Sequence, residues 1–108
     1  MGKHKIRYTA AAVDDLDGIF SYISDDDRVA AVKMLDRIEA AILKLGDMPR
    51  LGAVLPTNEL SLVESGYRML VVEPYLIFYR IRQNEVWIGR VLHSRQDWLY
   101  LLFGSTSK

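Results

Sequence analysis

The chain has 108 residues, and its 14 Lys and Arg balance 14 Asp and Glu, which excludes a protein that holds nucleic acid by bulk charge alone. Half of the residues are hydrophobic, enough for one core and too few for two, so a single domain spanning residues 1–108 is expected. There is no cysteine, which excludes disulfide frameworks, thiolate metal sites and thiol nucleophiles.

The amino-terminal run MGKHKIRYT has basic residues but no apolar segment after it, so no secretory signal is expected. No apolar run approaches the roughly 20 residues that span a bilayer. A cytoplasmic protein with no membrane partner is the expectation. The charge is unevenly distributed. Residues 10–66 hold 5 basic and 11 acidic residues, whereas residues 67–98 hold 5 arginines against 3 acids and the first nine residues add three cations. A solvated acidic helical face explains this, and so does a basic sheet left open for a phosphate backbone.

In chain order, Lys5 to Thr9 alternates around Ile6 and Tyr8 and reads as a short strand. From Ala10 the apolar period lengthens. Val13, Leu16, Phe20 and Ile23, with Ile19 beside them, mark one stripe of an amphipathic helix with Thr9 as its N-cap. Asp25-Asp26-Asp27 breaks this helix and offers a cap for the next. Three adjacent carboxylates cannot all converge on one ion, so capping is preferred to metal binding.

A second helix is expected from about Arg28 to Leu45, with Ala31, Leu35, Ile38, Ile42 and Leu45 on one face. Gly46 fits the left-handed position that ends helices. Asp47 to Ser65, punctuated by Pro49, Gly52 and Pro56, is irregular, and Asn58 can cap a short helical turn through Glu59 to Val63. Three strands follow: Tyr67–Val72, Tyr75–Arg82 and Glu85–His93, joined by Glu73-Pro74 and Gln83-Asn84. They are rich in the β-branched and aromatic residues that suit a pleated surface. The tail Asp97 to Phe103 reads as a short closing helix or a docked extension.

The expected fold is α+β: a strand, a helix hairpin, a three-stranded antiparallel meander and a short C-terminal helix, with the helices on one sheet face. The other face is where function is expected. Arginine presents a permanent charge in a phosphate-matching fork, and histidine exchanges protons near neutral pH. His93 and Arg95, where the last strand stops, are therefore the residues of interest. Arg80 and Arg90 lie inside strands, where an arginine stem lies along the sheet and pairs with a carboxylate. Trp87 and Trp98 read as core or partner-contact residues, not base-stacking platforms.

The order of these elements, with the segments GYRMLVV, YLIFYRI and above all RVLHSRQDW, resembles the RelE/ParE superfamily of bacterial toxins across Tyr8 to Leu102. Members are the toxin halves of type II toxin–antitoxin modules, neutralised by a cognate antitoxin that lays a helical segment across the toxin. The resemblance implies two alternative activities. RelE-like members cleave mRNA in the ribosomal A site without metal, as mRNA interferases; ParE-like members poison DNA gyrase.

For cleavage, the resemblance assigns Arg68 as phosphate clamp, His93 as acid or base, Arg95 as a second cation and Tyr100 as the tyrosine near the carboxyl end. Such chemistry needs a base for the 2′-hydroxyl, an acid for the leaving oxygen and cations for the transition state. No cofactor or metal is implied. Three features depart from the nuclease pattern. Arg50 is the only basic residue between Asp47 and Ser65, the His-Tyr pair of some nucleases is here His93-Ser94, and the net charge is zero.

The expected function is thus the toxin of a type II module, in the class linked to plasmid stabilisation, acting with ribosome and mRNA as an endoribonuclease. The alternatives are a non-enzymatic gyrase poison and an inactive toxin that only binds its antitoxin. A toxin–antitoxin hetero-oligomer is expected in each case. All catalytic versions require Arg68 and His93 to converge on one uncovered side of the sheet.

Overall fold

A computed structural model describes residues 3–55 and 66–103 of the chain. The turn expected at Asn58, from Glu59 to Val63, lies outside the described residues. Strand β1 (Lys5–Tyr8) leads into helices α1 (Ala10–Ser24) and α2 (Arg28–Lys44). Strands β2 (Ala53–Val54), β3 (Arg68–Val72), β4 (Tyr75–Arg82) and β5 (Glu85–His93) follow, and α3 (Trp98–Phe103) closes the described chain.

The caps form as their sequence positions require. The Thr9 hydroxyl accepts from the Ala12 amide at 3.1 Å, and the Asp27 carboxylate accepts from Ala30 at 3.0 Å. Each satisfies one of the amides that a helix start leaves without a partner. Gly46 has another role than the one expected of it, because it is not left-handed. Its carbonyl accepts from His4 at 2.8 Å, and an added Cβ would stand 3.3 Å from the His4 oxygen. It is small because β1 passes close by, not because the helix turns there.

The five strands form one sheet in the order β1-β5-β4-β3-β2. β3, β4 and β5 make the expected antiparallel meander, while β1 runs parallel to β5. The sheet is therefore mixed. β2, inside the segment that looked irregular in sequence, is an added edge strand on β3. Two residues are too few to show an alternating pattern.

Helices α1 and α2 cover one face. Ala12, Ile19, Met34, Ile38, Ile42 and Leu45 meet Val72, Tyr75, Ile77, Tyr79, Val86, Ile88 and Val91 of the sheet. Leu16, Ile19 and Ile23 of the expected α1 stripe face inward, but its first residue does not: Ala12 is buried and Val13 is 45% exposed. An alanine allows the helix to approach the sheet closely where valine would hold it off. On the second face, Leu55, Leu76, Phe78 and Leu92 form a smaller cluster with Trp98, Leu101 and Leu102 of α3. Trp98 stacks on Phe78 with ring centroids 5.3 Å apart, so α3 covers one end of this face.

The two faces are set by one irregularity. Tyr79 pairs with Ile88 and Phe78 with Arg90, leaving Gly89 as an extra residue on β5. Side chains alternate along a strand, so one extra residue moves every later residue to the opposite parity. Val86, Ile88 and Val91 can therefore all face the helices. Trp87 points to the other side, and His93 to the helix side.

Candidate functional site

Arg68 and Tyr79 are cross-strand partners, as are Tyr75 and His93. Tyr75 and Tyr79 both point into the helix-side core, so Arg68 and His93 share a sheet face. It is the covered face, not the open one that sequence reasoning required. They are also far apart. Four residues along β4 span about 13 Å and two strand spacings add about 9–10 Å sideways, which puts their Cα atoms roughly 16 Å apart.

Local bonding holds each in place. The Arg68 Nη1 donates to the Gly52 carbonyl at 3.0 Å. Beside it, the Tyr79 hydroxyl donates to the Pro49 carbonyl at 2.7 Å and accepts from the Gly52 amide at 2.8 Å. Burial pushes the Tyr79 phenol above its usual 10.0, against the smaller opposing pull of the Gly52 amide and the Arg68 charge. Gly52 is required here, since an added Cβ would lie 2.7 Å from the Tyr79 ring and 2.9 Å from the Met69 carbonyl. Arg68 thus belongs to the lock that holds residues 49–52 against β3 and β4.

His93 lies at the other end of the sheet. Its ring meets Tyr75 edge-on, centroids 5.4 Å apart, and its Nδ1 accepts from the Arg95 amide at 3.1 Å. The Gln96 side chain accepts from the His93 amide at 2.8 Å. The imidazole borders an open depression shared with Asp14, Gly18, Tyr22 and Tyr75. That setting offers two carboxylates, Asp14 and Asp15, and two phenols, not cations. Arg95 is exposed in the turn after β5, and Tyr100 is half exposed on α3, which packs on the opposite sheet face. The four residues do not form one cluster.

Arg90 is a structural residue, as its position inside a strand implied. Its Nε and Nη2 donate to the two Asp15 oxygens at 2.7 and 2.9 Å, and the same carboxylate accepts from the Val91 amide at 2.9 Å. β1 ends opposite Ile88, and Asp15 supplies the acceptor that the vacant edge of β5 lacks beyond it. The Asp15 bonds hold the Arg90 guanidinium charged, raising it further above its ordinary value despite partial burial.

The open face carries what sequence reasoning passed over. Arg80, rated a stem-on-sheet residue, has its guanidinium 4.6 Å above the Tyr67 ring, and Trp87 is its cross-strand neighbour. The parity of Arg80 and Arg82 was visible in the sequence, but the Lys5 and Arg7 that β1 adds on the far side of β5 were not. Among the described residues no three His, Asp or Glu side chains are placed to hold a metal ion, and no helix is long and apolar enough to cross a membrane.

The family model described as ParE toxin of type II toxin–antitoxin system, parDE, matches residues 6–98. The Y4kP protein of Sinorhizobium fredii is 36% identical over 105 residues, covering 94% of this chain and 100% of that protein. Toxin ParE3 of Caulobacter vibrioides is 32% identical over 84 residues, 77% of this chain and 79% of that protein. Among solved structures, the chromosomal ParDE system from P. aeruginosa superposes with a TM-score of 0.69 at 24% identity, covering 86% of this chain and 98% of the other. The toxin–antitoxin complex RelBE2 from Mycobacterium tuberculosis gives 0.57 at 29% identity, covering 84% and 98%.

Proposed function

Because the chain belongs to the ParE toxin family of type II toxin–antitoxin systems, we propose that it arrests growth by gripping a protein target, DNA gyrase in its cleaved-DNA state, and not by cutting mRNA. The cognate antitoxin is its other partner, and the cytoplasm, where gyrase and DNA meet, is its place of action. The observation that carries this reading is the separation of Arg68 from His93. General acid–base chemistry on one phosphodiester needs its groups within about 3 Å of the atoms they serve. With the Arg68 guanidinium tied to the Gly52 carbonyl and the His93 ring set against Tyr75, on strands whose Cα positions are roughly 16 Å apart, the two groups are not gathered around one point. The Arg68 bond to Gly52 and the carboxylates and phenols beside His93 support the same conclusion.

Inducing the chain without its antitoxin, while following translation, DNA breaks and growth together, tests the proposal. Gyrase-linked DNA breaks and an SOS response should precede any fall in translation. His93→Ala, an edit at a partly exposed strand end, should leave that order unchanged. Codon-positioned mRNA cuts that precede DNA damage and vanish in His93→Ala would overturn it.

A further inference from the structure

On the open face, at the end of the sheet where β4 turns into β5, three strands and the residue before β3 line up two cross-strand rows. One row runs Arg7, Trp87, Arg80 and Tyr67, alternating cation and ring; the other runs Lys5, Glu85 and Arg82. Two strand spacings put Arg7 and Arg80 about 9–10 Å apart, and Tyr67 extends the row beyond Arg80. The rows border an open depression of about 520 Å³.

Among the described residues the charges in this patch do not cancel. Glu85 is its single carboxylate among those residues, and both of its oxygens are engaged: Oε2 by Arg7 Nε at 3.0 Å and Oε1 by Trp87 Nε1 at 2.9 Å. Those two bonds, Arg7 first, hold the Glu85 carboxyl below its ordinary range, with a smaller pull from Lys5. With Arg7 and Glu85 paired, Lys5, Arg80 and Arg82 remain as three uncompensated cations, none with a hydrogen bond or ion pair among the described residues. Arg80 is pre-set for an in-plane ligand, because a guanidinium lying on a ring keeps its N–H edges pointing outward. Tyr67 can lie across the sheet because residue 89 is glycine; an added Cβ there would come within 3.2 Å of the ring.

We propose that this row of alternating arginines and rings binds the phosphodiester backbone of single-stranded nucleic acid, with a base stacked at Trp87. Charge complementarity alone would also suit an acidic peptide. The rings decide for a polynucleotide, since carboxylates need no stacking surface whereas unpaired bases gain from one. A duplex would present its phosphates but hide its base faces. The surface is independent of which target the toxin poisons.

The test is fluorescence anisotropy of the full chain with labelled oligo-dT, oligo-U and a polyglutamate of matched length, between about 50 and 200 mM salt. Three phosphate contacts predict a log–log salt slope of about −2.1, an affinity loss of about 18-fold across that range. Arg80→Ala with Arg82→Ala should flatten the slope to about −0.7. Arg82→Ala alone, at an exposed strand end, should remove about 0.7 of slope and stands in if the double variant unfolds. Glu85→Gln frees Arg7 and should steepen the slope towards about −2.8. Trp87→Leu should weaken binding about fivefold or more at unchanged slope, the signature of stacking. Binding of oligo-dT, oligo-U or both with these responses supports the site. Absent binding, slopes indifferent to the arginines, or polyglutamate bound as tightly as the oligonucleotides would overturn it.

Discussion

Asp15→Ala removes the acceptor for three donors at once: two guanidinium N–H groups of Arg90 and the Val91 amide. The side chains of Arg90 and Asp15 are 25% and 12% exposed, so the pair is largely but not wholly withdrawn from water. Breaking a fully buried pair by deleting one partner costs about 3–5 kcal/mol. The residual exposure reduces this to roughly 2–3 kcal/mol, and the unpaired Val91 amide adds about 1 kcal/mol. A total near 3–4 kcal/mol is a large share of the 5–15 kcal/mol typical of a folded domain. In urea, with a mid-range slope of about 2 kcal/mol per molar, the midpoint should fall by roughly 1.5–2 M. Arg90→Met keeps the stem but not the charge, and leaves Asp15 with the Val91 amide. The double variant should therefore be less destabilised than the sum of the single ones by about 2 kcal/mol. A loss under about 1 kcal/mol for Asp15→Ala, or strict additivity, would show that the carboxylate does not lock α1 to β5.

Three further outcomes follow from the geometry. Tyr79→Phe leaves the Gly52 amide and Pro49 carbonyl without their shared hydroxyl and should cost about 1–3 kcal/mol in denaturant unfolding. The folded Tyr79 pKa is raised above 10.0, so its stabilisation is complete below that value and is lost as pH rises through the raised one; an alkaline titration should show Tyr79→Phe lacking this component. Gly52→Ala forces a Cβ to 2.7 Å from the Tyr79 ring and should cost about 1–3 kcal/mol, with Tyr79→Phe giving little relief because the ring carbon and Met69 oxygen remain. Glu85 titrates below its ordinary 4.5 when folded, so its pairing stabilises above that value and fades as pH falls through the lowered one. The gap in thermal midpoint between the native chain and Glu85→Gln should accordingly shrink from about pH 6 towards about pH 3, and a constant gap would refute the pairing.

Family and local elements were legible because they depend on neighbours in the chain. Thr9 and Asp27 cap amides three residues on, and the apolar spacing of Ile38, Ile42 and Leu45 follows one helix face. The meander joins adjacent strands through short turns, and RVLHSRQDW marked the superfamily that the family match then bore out. Even there, Val13 was assigned to the wrong side of α1, because helical spacing fixes a stripe only to within a residue.

What the tertiary structure decided depends on contacts between distant residues. The Arg90–Asp15 pair joins positions 75 apart in the chain, and the Tyr79 hydroxyl reaches 27 residues back to the Gly52 amide. The parallel addition of β1 to β5 put Arg7 and Lys5 beside Trp87 and Glu85, a neighbourhood that no local pattern encodes. The bulge at Gly89 had the widest effect. Strand parity read without it puts Trp87 and His93 on one face; the extra residue sends Trp87 to the open side and His93 beneath the helices. A strand pattern states which residues alternate, but only the register against its neighbours states which face each one meets.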